Sequence, residues 1–430
     1  MKTRHRTGLG LGIATLVLCF LAAETASCGE PPDSGVKPGF LDDELKRNVN
    51  EAIRRGVRYL LDRQAPDGAW RETWSNLPGH HRFASGETAL ALAALMACGV
   101  SRFEVPVGKG FRVLENEPPQ TVYEAAVALL AYAERGCTID RRGNRKVRPP
   151  ESPSASRHVD LCTKFLLENR TGRIRESNGG EMAPWRIWGY PSCYGDHSNT
   201  AFAVLGLKAA SELGKEVPEK TWHAIVAYFP EVQERDGPEV PRWECRSEGA
   251  SPFHTFHEGK GERLRARGWG YRSGPAKKGS ATGSMTCAGI LSLRIALRQG
   301  NITRESSRTR AEKAVRDGMA WMDQHWNVET NPDSPGNAWH ACYLFLLDRA
   351  ARETSSLFVG RHDWYGDGAR HLLSNQKSSG AWEEPGGPGT LCRTCFALLF
   401  LAQPTLPSAP YPSPEFFRER NRRSGVEEEF

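Results

Sequence analysis

The richest run of chemistry-bearing side chains is Gly189-Tyr190-Pro191-Ser192-Cys193-Tyr194-Gly195-Asp196-His197-Ser198-Asn199-Thr200. Asp196 and His197 stand side by side where a loop turns into an apolar, helix-patterned stretch. Histidine titrates near neutrality and an adjacent carboxylate tunes it, so the two could work as an acid/base pair. The same residue types serve equally as a helix start, where Asp196 or Ser198 accepts from the first free amides. His340 occupies the matching position in a later segment, and Glu87 and Glu124 in two earlier ones. With Asn199 these groups would ring one opening, unless each only caps its helix or lies on a solvated rim. Trp185, Trp188, Trp269, Tyr271 and Trp339 lie in the loops leading to these segments. Such aromatics could stack on sugars or isoprenoid chains, or pack the loops down. No Gly-rich phosphate loop and no nucleophile elbow is present, and Gly268-Trp269-Gly270-Tyr271 lacks the context of a nucleotide fingerprint.

The elements that would position these residues read as helix pairs. Amphipathic segments lie near 43–63, 104–116, 154–169, 219–233, 309–326 and 363–376. Each is followed by a segment that is apolar nearly all round, near 87–98, 121–135, 198–212, 283–298, 337–351 and 391–402. A helix apolar on every face is buried on every face. Six such helices inside six amphipathic ones make a double-walled helical barrel, an all-α toroid of six hairpins. Long connections run from the outer to the inner helices at 64–86, 170–197, 234–282 and 377–390, so the functional face is expected where the inner helices begin.

A template recurs at the two ends of the chain. Gly56, Tyr59, Leu60, Gln64, Gly68 and Trp70 correspond to Gly368, His371, Leu372, Gln376, Gly380 and Trp382. The middle copies are degenerate: the fourth keeps Tyr228, Phe229, Gln233 and Gly237, the second Gly110, Val113 and Leu114, the fifth Gly318, Trp321 and Met322. Gln64, Trp70, Gln376 and Trp382 are read as structural staples, with Gln reaching exposed amides at a neighbouring helix start and Trp stacking over the join. A carbohydrate or lipid platform is the alternative for either Trp.

The chain has 57 Lys+Arg and 51 Asp+Glu with the signs interspersed, which gives no nucleic-acid stripe. Lys2, Arg4 and Arg6 precede an apolar run from Leu9 to Ala23, so residues 1–28 read as an export leader too short to span a bilayer. Thr25-Ala26-Ser27-Cys28 only faintly matches a lipoprotein box. A periplasmic or cell-surface location follows, with peripheral membrane association left open. Residues 29–42 read as a linker, 43–402 as the domain, and 403–430, rich in Pro and charge, as a disordered tail. Cys98, Cys162, Cys287, Cys342 and Cys395 fall in apolar helical stretches and read as buried thiols, and the Cys392/Cys395 pair as core rather than redox motif. Cys193 and Cys245 fall in loops and could pair in an oxidising compartment.

The Gly–aromatic–Leu–Gln–Gly–Trp template resembles the QW repeat of squalene-hopene and oxidosqualene cyclases, and the hairpin order resembles the β subunits of protein prenyltransferases. Over about 43–402 the chain looks most like exported bacterial proteins with prenyltransferase and squalene oxidase repeats, of the α/α-toroid superfamily. The resemblance implies that fold. It does not carry the chemistry. The cyclases protonate substrate with an Asp-x-Asp-Asp acid. Here Asp42-Asp43 follows Phe40-Leu41, and it opens an outer helix. The prenyltransferases hold zinc through Asp-x-Cys and a His. Trp339-His340-Ala341-Cys342-Tyr343 resembles the His-bearing stretch, but Gly283-Ser284-Met285-Thr286-Cys287 supplies no Asp-x-Cys, and Asp160-Leu161-Cys162 falls on an outer helix. Cys28-Gly29-Glu30-Pro31 is a coincidental near miss to the thioester motif of complement-like proteins. No metal and no cofactor are therefore expected.

Three functions remain: a toroid binding an apolar or amphipathic ligand or a protein partner, an isoprenoid cyclase with a displaced acid, and a polysaccharide-active enzyme. An aromatic cavity without an acid favours the first, a buried carboxylate with a His partner the second, an open cleft with Arg, Tyr and Trp the third. The missing acid predicts that purified protein leaves squalene and oxidosqualene uncyclised by gas chromatography–mass spectrometry. Hopene-type products that vanish on replacing a single carboxylate would overturn this.

Overall fold

A computed structural model describes residues 43–72, 84–139, 145–170, 187–190, 195–247, 254–259, 263–272, 280–337, 339–383 and 389–402. The leader, the linker, the tail, Trp185 and Cys193 lie outside the described residues. The helices alternate between two layers. The outer ones are α1 (Asp43–Asp62), α3 (Val105–Asn116), α5 (Pro153–Glu168), α7 (Glu219–Val232), α9 (Glu305–Gln324) and α11 (Trp364–Asn375). The inner ones are α2 (Ala84–Ala97), α4 (Val122–Gly136), α6 (His197–Glu212), α8 (Gly283–Gln299), α10 (His340–Glu353) and α12 (Thr390–Leu401). Each inner helix packs on the next, and α12 packs back on α2, which closes the ring. The fold is an α/α toroid.

The layering follows from the side chains. In α1 the buried residues Leu45, Val49, Ala52, Val57, Leu60 and Leu61 form one stripe, while α8 buries every residue from Gly283 to Leu293. Aromatic side chains pack between the inner helices: Tyr123 meets Phe202 edge-on at 5.1 Å, Phe202 stacks near Phe345 at 6.2 Å, and Phe345 reaches Phe396 at 5.2 Å. Rings from α4, α6, α10 and α12 thus meet one another inside the inner layer.

The joins between the layers repeat one geometry. The indole N–H of Trp70 donates to Leu60 O at 2.7 Å, that of Trp382 to Leu372 O at 2.8 Å, that of Trp188 to Leu166 O at 2.7 Å and that of Trp269 to Phe229 O at 2.9 Å. Each acceptor lies in the last turn of an outer helix, where intrahelical donors run short, and Leu60 O also receives Arg63 N at 3.1 Å. A threonine of the inner helix receives the Trp backbone amide in three cases: Thr88, Thr286 and Thr394. The glutamine works on carbonyls rather than amides. Gln64 Nε2 donates to Gly68 O and Pro106 O, Gln376 to Gly380 O and Ala52 O, and Gln233 to Arg267 O and Ala314 O. Those carbonyls hold a second lone pair that an N–H₂ can use, whereas helix-start amides need an acceptor. The second acceptor lies in each case on the next outer helix round the ring: α3, α1 and α9.

The template glycines leave room for these rings. A Cβ on Gly110 would stand 2.9 Å from the Trp70 ring, and one on Gly318 2.6 Å from the Trp269 ring. Each Trp therefore wedges against the following outer helix.

Two features depart from the sequence reading. Helix α10 begins at His340, not near 337, because Pro335–Asn337 forms a separate 3₁₀ turn and Trp339 has φ +64°. The connections also contain short antiparallel ladders: β1 (Cys137–Ile139) with β2 (Arg145–Val147) between α4 and α5, and β3 (Glu239–Val240) with β6 (Leu264–Arg265) and β4 (Trp243–Ser247) with β5 (His254–Glu258) between α7 and α8. Cys245 belongs to β4, not to an irregular loop.

Trp269→Ala should destabilise the fold by about 3–5 kcal/mol, the usual cost of deleting a buried ring. Tyr271→Ala, two residues on and 47% exposed, should stay within about 0.5 kcal/mol. Urea unfolding of both variants checks this, and equal effects would remove the staple role of Trp269.

Candidate functional site

The inner helices all start at one end of the toroid, and a cavity of about 330 Å³ opens there. One turn of each of five inner helices builds its wall. Tyr123 comes from α4, Ser198, Asn199 and Phe202 from α6, Ser284 and Met285 from α8, Cys342 from α10, and Cys392 and Phe396 from α12. The connections add Tyr190, Tyr271, Thr282, Asn331, Ser334, Pro335 and Trp339. No carboxylate, ammonium, guanidinium or imidazole group lines it among the described residues.

The expected site residues divide into two groups. Asn199, Tyr271 and Trp339 come together on the cavity wall. Asp196, His197, His340, Glu87, Glu124, Trp188 and Trp269 do not line it: they are buried behind it and engaged by the fold. Trp188 and Trp269, expected at the mouth as ligand platforms, are instead the joins already described. Their loops bring them inward because the outer-helix carbonyls need a donor.

Asp196 is the N-cap of α6, accepting from Asn199 N at 2.7 Å and Asn199 Nδ2 at 2.9 Å. The carboxamide oxygen of Asn199 is then the atom left to accept from a ligand. Burial raises the Asp196 pKa to about 6, against the lowering effect of those hydrogen bonds. His197 does not pair with it. Its Nδ1–H donates to Gly270 O at 2.6 Å, and its Nε2 accepts from the Tyr228 hydroxyl at 2.9 Å. Burial lowers its pKa to about 4, so the imidazole stays neutral. An acid/base pair at these positions would need the two side chains to meet, and the fold spends them on opposite tasks.

The other three polar residues also hold backbone. His340 Nε2–H donates to Val328 O at 2.8 Å, and the ring meets His371 edge-on at 4.9 Å. Glu124 forms a capping box with Thr121 at the start of α4. Glu87 accepts from Glu72 N at 2.8 Å, and Glu72 in turn accepts from Leu391 N at the start of α12. Among the described residues no three His, Cys, Asp or Glu side chains converge on a metal position.

Several wall residues escaped the sequence reading: Tyr123, Phe202, Met285, Asn331, Cys342, Cys392 and Phe396. A signal for some was present. Phe202 lies three residues after Asn199, and Cys342 three after Trp339, which is one helical turn deeper on the same face. Burial pushes the Cys342 thiol up to about 12 and the Cys392 thiol well above its usual value, so both contribute as neutral, soft apolar surface.

No family model matches this sequence. No curated protein matches it either. Solved structures with a similar course include the type II terpene cyclase MstE from Scytonema, at TM-score 0.45 and 12% identity, covering 85% of this chain and 99% of that one. The GH76A alpha-1,6-mannanase from Salegentibacter sp. HEL1_6 aligns at TM-score 0.48 and 11% identity, covering 82% of this chain and 98% of that one. An inactive variant of that mannanase in complex with alpha-1,6-mannotetrose aligns at TM-score 0.49 and 10% identity, covering 83% and 99%. The toroid rests on its own closed helix ring, and the ligand has to be read from the cavity.

The buried neighbours Asp196 and His197 give a pH signature. Asp196 has a folded pKa of about 6 against 3.8, so its share of stability is present below pH 3.8 and is lost as pH rises through about 6. His197 has a folded pKa of about 4 against 6.5, so its share is present above pH 6.5 and is lost as pH falls through about 4. The two oppose each other across that window. Asp196→Asn keeps a capping side chain and should leave stability rising with pH from 4 to 6.5, while His197→Gln should leave it falling. Urea midpoints at both pH values check the signs, and slopes of the same sign would refute the assignment.

Proposed function

We propose that the protein is an exported toroid that binds an uncharged amphipathic ligand, with the apolar body in the cavity and a hydroxyl or carbonyl head at the mouth. The observation that carries this is the neutral, aromatic wall: Tyr123, Phe202, Met285, Phe396 and Trp339 around Asn199, Ser198 and Ser284. Apolar rings give area, and a few convergent amide and hydroxyl groups give orientation. An ionised head would enter without a counter-charge, at a desolvation cost that nothing on the wall offsets.

The helix starts fit this reading. Their amides would otherwise make a mildly positive rim suited to anions. Here Asp196, Glu124 and Glu72 accept from them, and Thr282 and Asn331 do so for α8. The rim is therefore neutralised by the fold itself. A cyclase reading would need a proton source on the wall, and the buried carboxyls behind it are engaged by the fold: Asp196 by Asn199, Glu124 by Thr121 and Glu87 by Glu72 N. A polysaccharide reading would draw on arginines at the mouth, and none lines the cavity among the described residues.

Trp339 gives a variant that separates binding from folding. It is 40% exposed and holds a left-handed backbone that costs a non-glycine residue roughly 1–2 kcal/mol. Trp339→Gly relieves that backbone cost while giving up the indole's covered contacts, so stability should stay within about 1–2 kcal/mol of the unaltered chain. The same change should weaken farnesol, an alcohol on an apolar chain, by at least about ten-fold in equilibrium dialysis, equivalent to 1.4 kcal/mol. Phe202→Trp, which fills the cavity, should do likewise. Farnesyl phosphate should bind more weakly than farnesol. Tighter binding of the phosphate, or unchanged farnesol binding in both variants, would end this reading.

A further inference from the structure

A second recess lies away from the mouth, between the strand insertion and the outer face of α9. Its volume is about 920 Å³. One wall is the insertion, at Trp243 and Leu264. The other is α9, at Val315 and Met319, and the far rim is the turn after α10 at Ser355–Leu357. The insertion is fixed in place: Phe256 meets Phe358 edge-on at 4.9 Å, and the Arg361 guanidinium lies over the Trp243 ring at 4.4 Å. The groove is thus a built feature with two anchored sides, and its rim exposes 62% of Leu357.

Its charges are unevenly satisfied. Asp323 faces His362 at 3.5 Å, Glu312 faces Arg308 at 3.9 Å and Arg242 faces Glu244 at 3.9 Å, and Arg316, also on the wall, is engaged within the fold. Arg294, on α8 at the inner side of the groove, has no carboxylate within ion-pair distance among the described residues. Its Nε–H donates to the backbone oxygen of Glu353 at 3.2 Å, and its two Nη groups make no hydrogen bond. The residue is half-buried, and burial together with the neighbouring Arg298 lowers its pKa. Arg298 itself takes the Glu353 carboxylate at 2.9 Å, as does Lys208 at 2.8 Å, so that acid is already committed. A planar guanidinium fork held at one nitrogen, with its other donors facing an open volume, suits a bidentate carboxylate.

We propose that this groove is a second binding site, for a small carboxylate with an apolar arm. The carboxylate pairs with the Nη groups of Arg294. The arm lies along Trp243, Met319 and Leu357. The mouth cavity has a neutral wall, whereas this groove is lined by charged groups, among which the Arg294 fork keeps open donors, so the two sites would take different ligands.

The test uses an isosteric pair on the full chain: N-acetylphenylalanine and its uncharged amide. Saturation-transfer difference NMR titrations should show saturable binding of the acid and at least ten-fold weaker binding of the amide. Arg294→Met should abolish acid binding while farnesol uptake at the mouth is retained, which shows that the fold is intact. Should Arg294→Met fail to fold, Leu357→Glu places a fixed carboxylate on the exposed rim and should weaken the acid by the same order. Equal binding of acid and amide, no saturable binding of the acid, or undiminished acid binding in the variants would overturn the proposal.

Discussion

The bond from an indole N–H to a carbonyl in the last turn of an outer helix is the constraint on which the toroid depends. A double-layered barrel must turn its chain inward at the end of each outer helix, and the turn buries carbonyls of the last helical turn, where donors run short. Leaving one buried and unsatisfied costs roughly 1–3 kcal/mol. Trp70, Trp188, Trp269 and Trp382 meet that need with a single donor and a large apolar body. The body then wedges against the next outer helix, so one side chain closes a helix end and fixes the spacing between hairpins.

The same joins set the mouth. Asp196 N donates to Trp188 O, and His197 N to Tyr271 O, so the start of α6 is tied to both neighbouring connections. Tyr190 and Tyr271, each two residues beyond a stapling Trp, reach the cavity wall. The aromatic content of these loops thus serves two purposes at a fixed offset: tryptophan inward for the fold, tyrosine at the opening. Neutralisation of the rim has the same origin. Acids needed to satisfy buried helix starts cancel the helix-terminal potential, and the cavity inherits a wall without charge.

The layered fold was legible because its signals are local and redundant. An all-round apolar helix has one place to go, and α6 and α8 read that way from periodicity alone. The start of α10 was not legible, since the left-handed Trp339 depends on the arm between α9 and α10 and not on helix propensity. The template showed that Gln233 belonged to the set, but its partner Trp269 was hidden by the intervening strands, 36 residues on, and so was read as a ligand platform. At the site, residues at the helix starts were identified by type, and capping, which claims Asp196 and Glu124, is the commonest use of those types, while Glu87 holds the Glu72 amide of the preceding connection. What decides between a cap and a site is where neighbouring loops deliver their amides, and sequence spacing does not contain that.

The arm carrying Trp339 is held by more bonds than a connection of its length requires. Gly283 N donates to Pro332 O, Ser284 N to Asn331 Oδ1, and the Tyr343 hydroxyl to Asn327 O at 2.8 Å. These contacts draw the starts of α8 and α10 together and hold Asp333, Asn337 and Trp339 at positive φ. Strain of this kind persists where the surroundings over-determine it. Capping α8 accounts for Asn331 and Pro332, but it asks nothing of the Trp339 ring, which stands on the wall partly in solvent. A glycine would satisfy the same backbone without strain. The indole is held there by contacts that a glycine would lack, and under the proposed function an apolar ligand body packed on its exposed part adds to them.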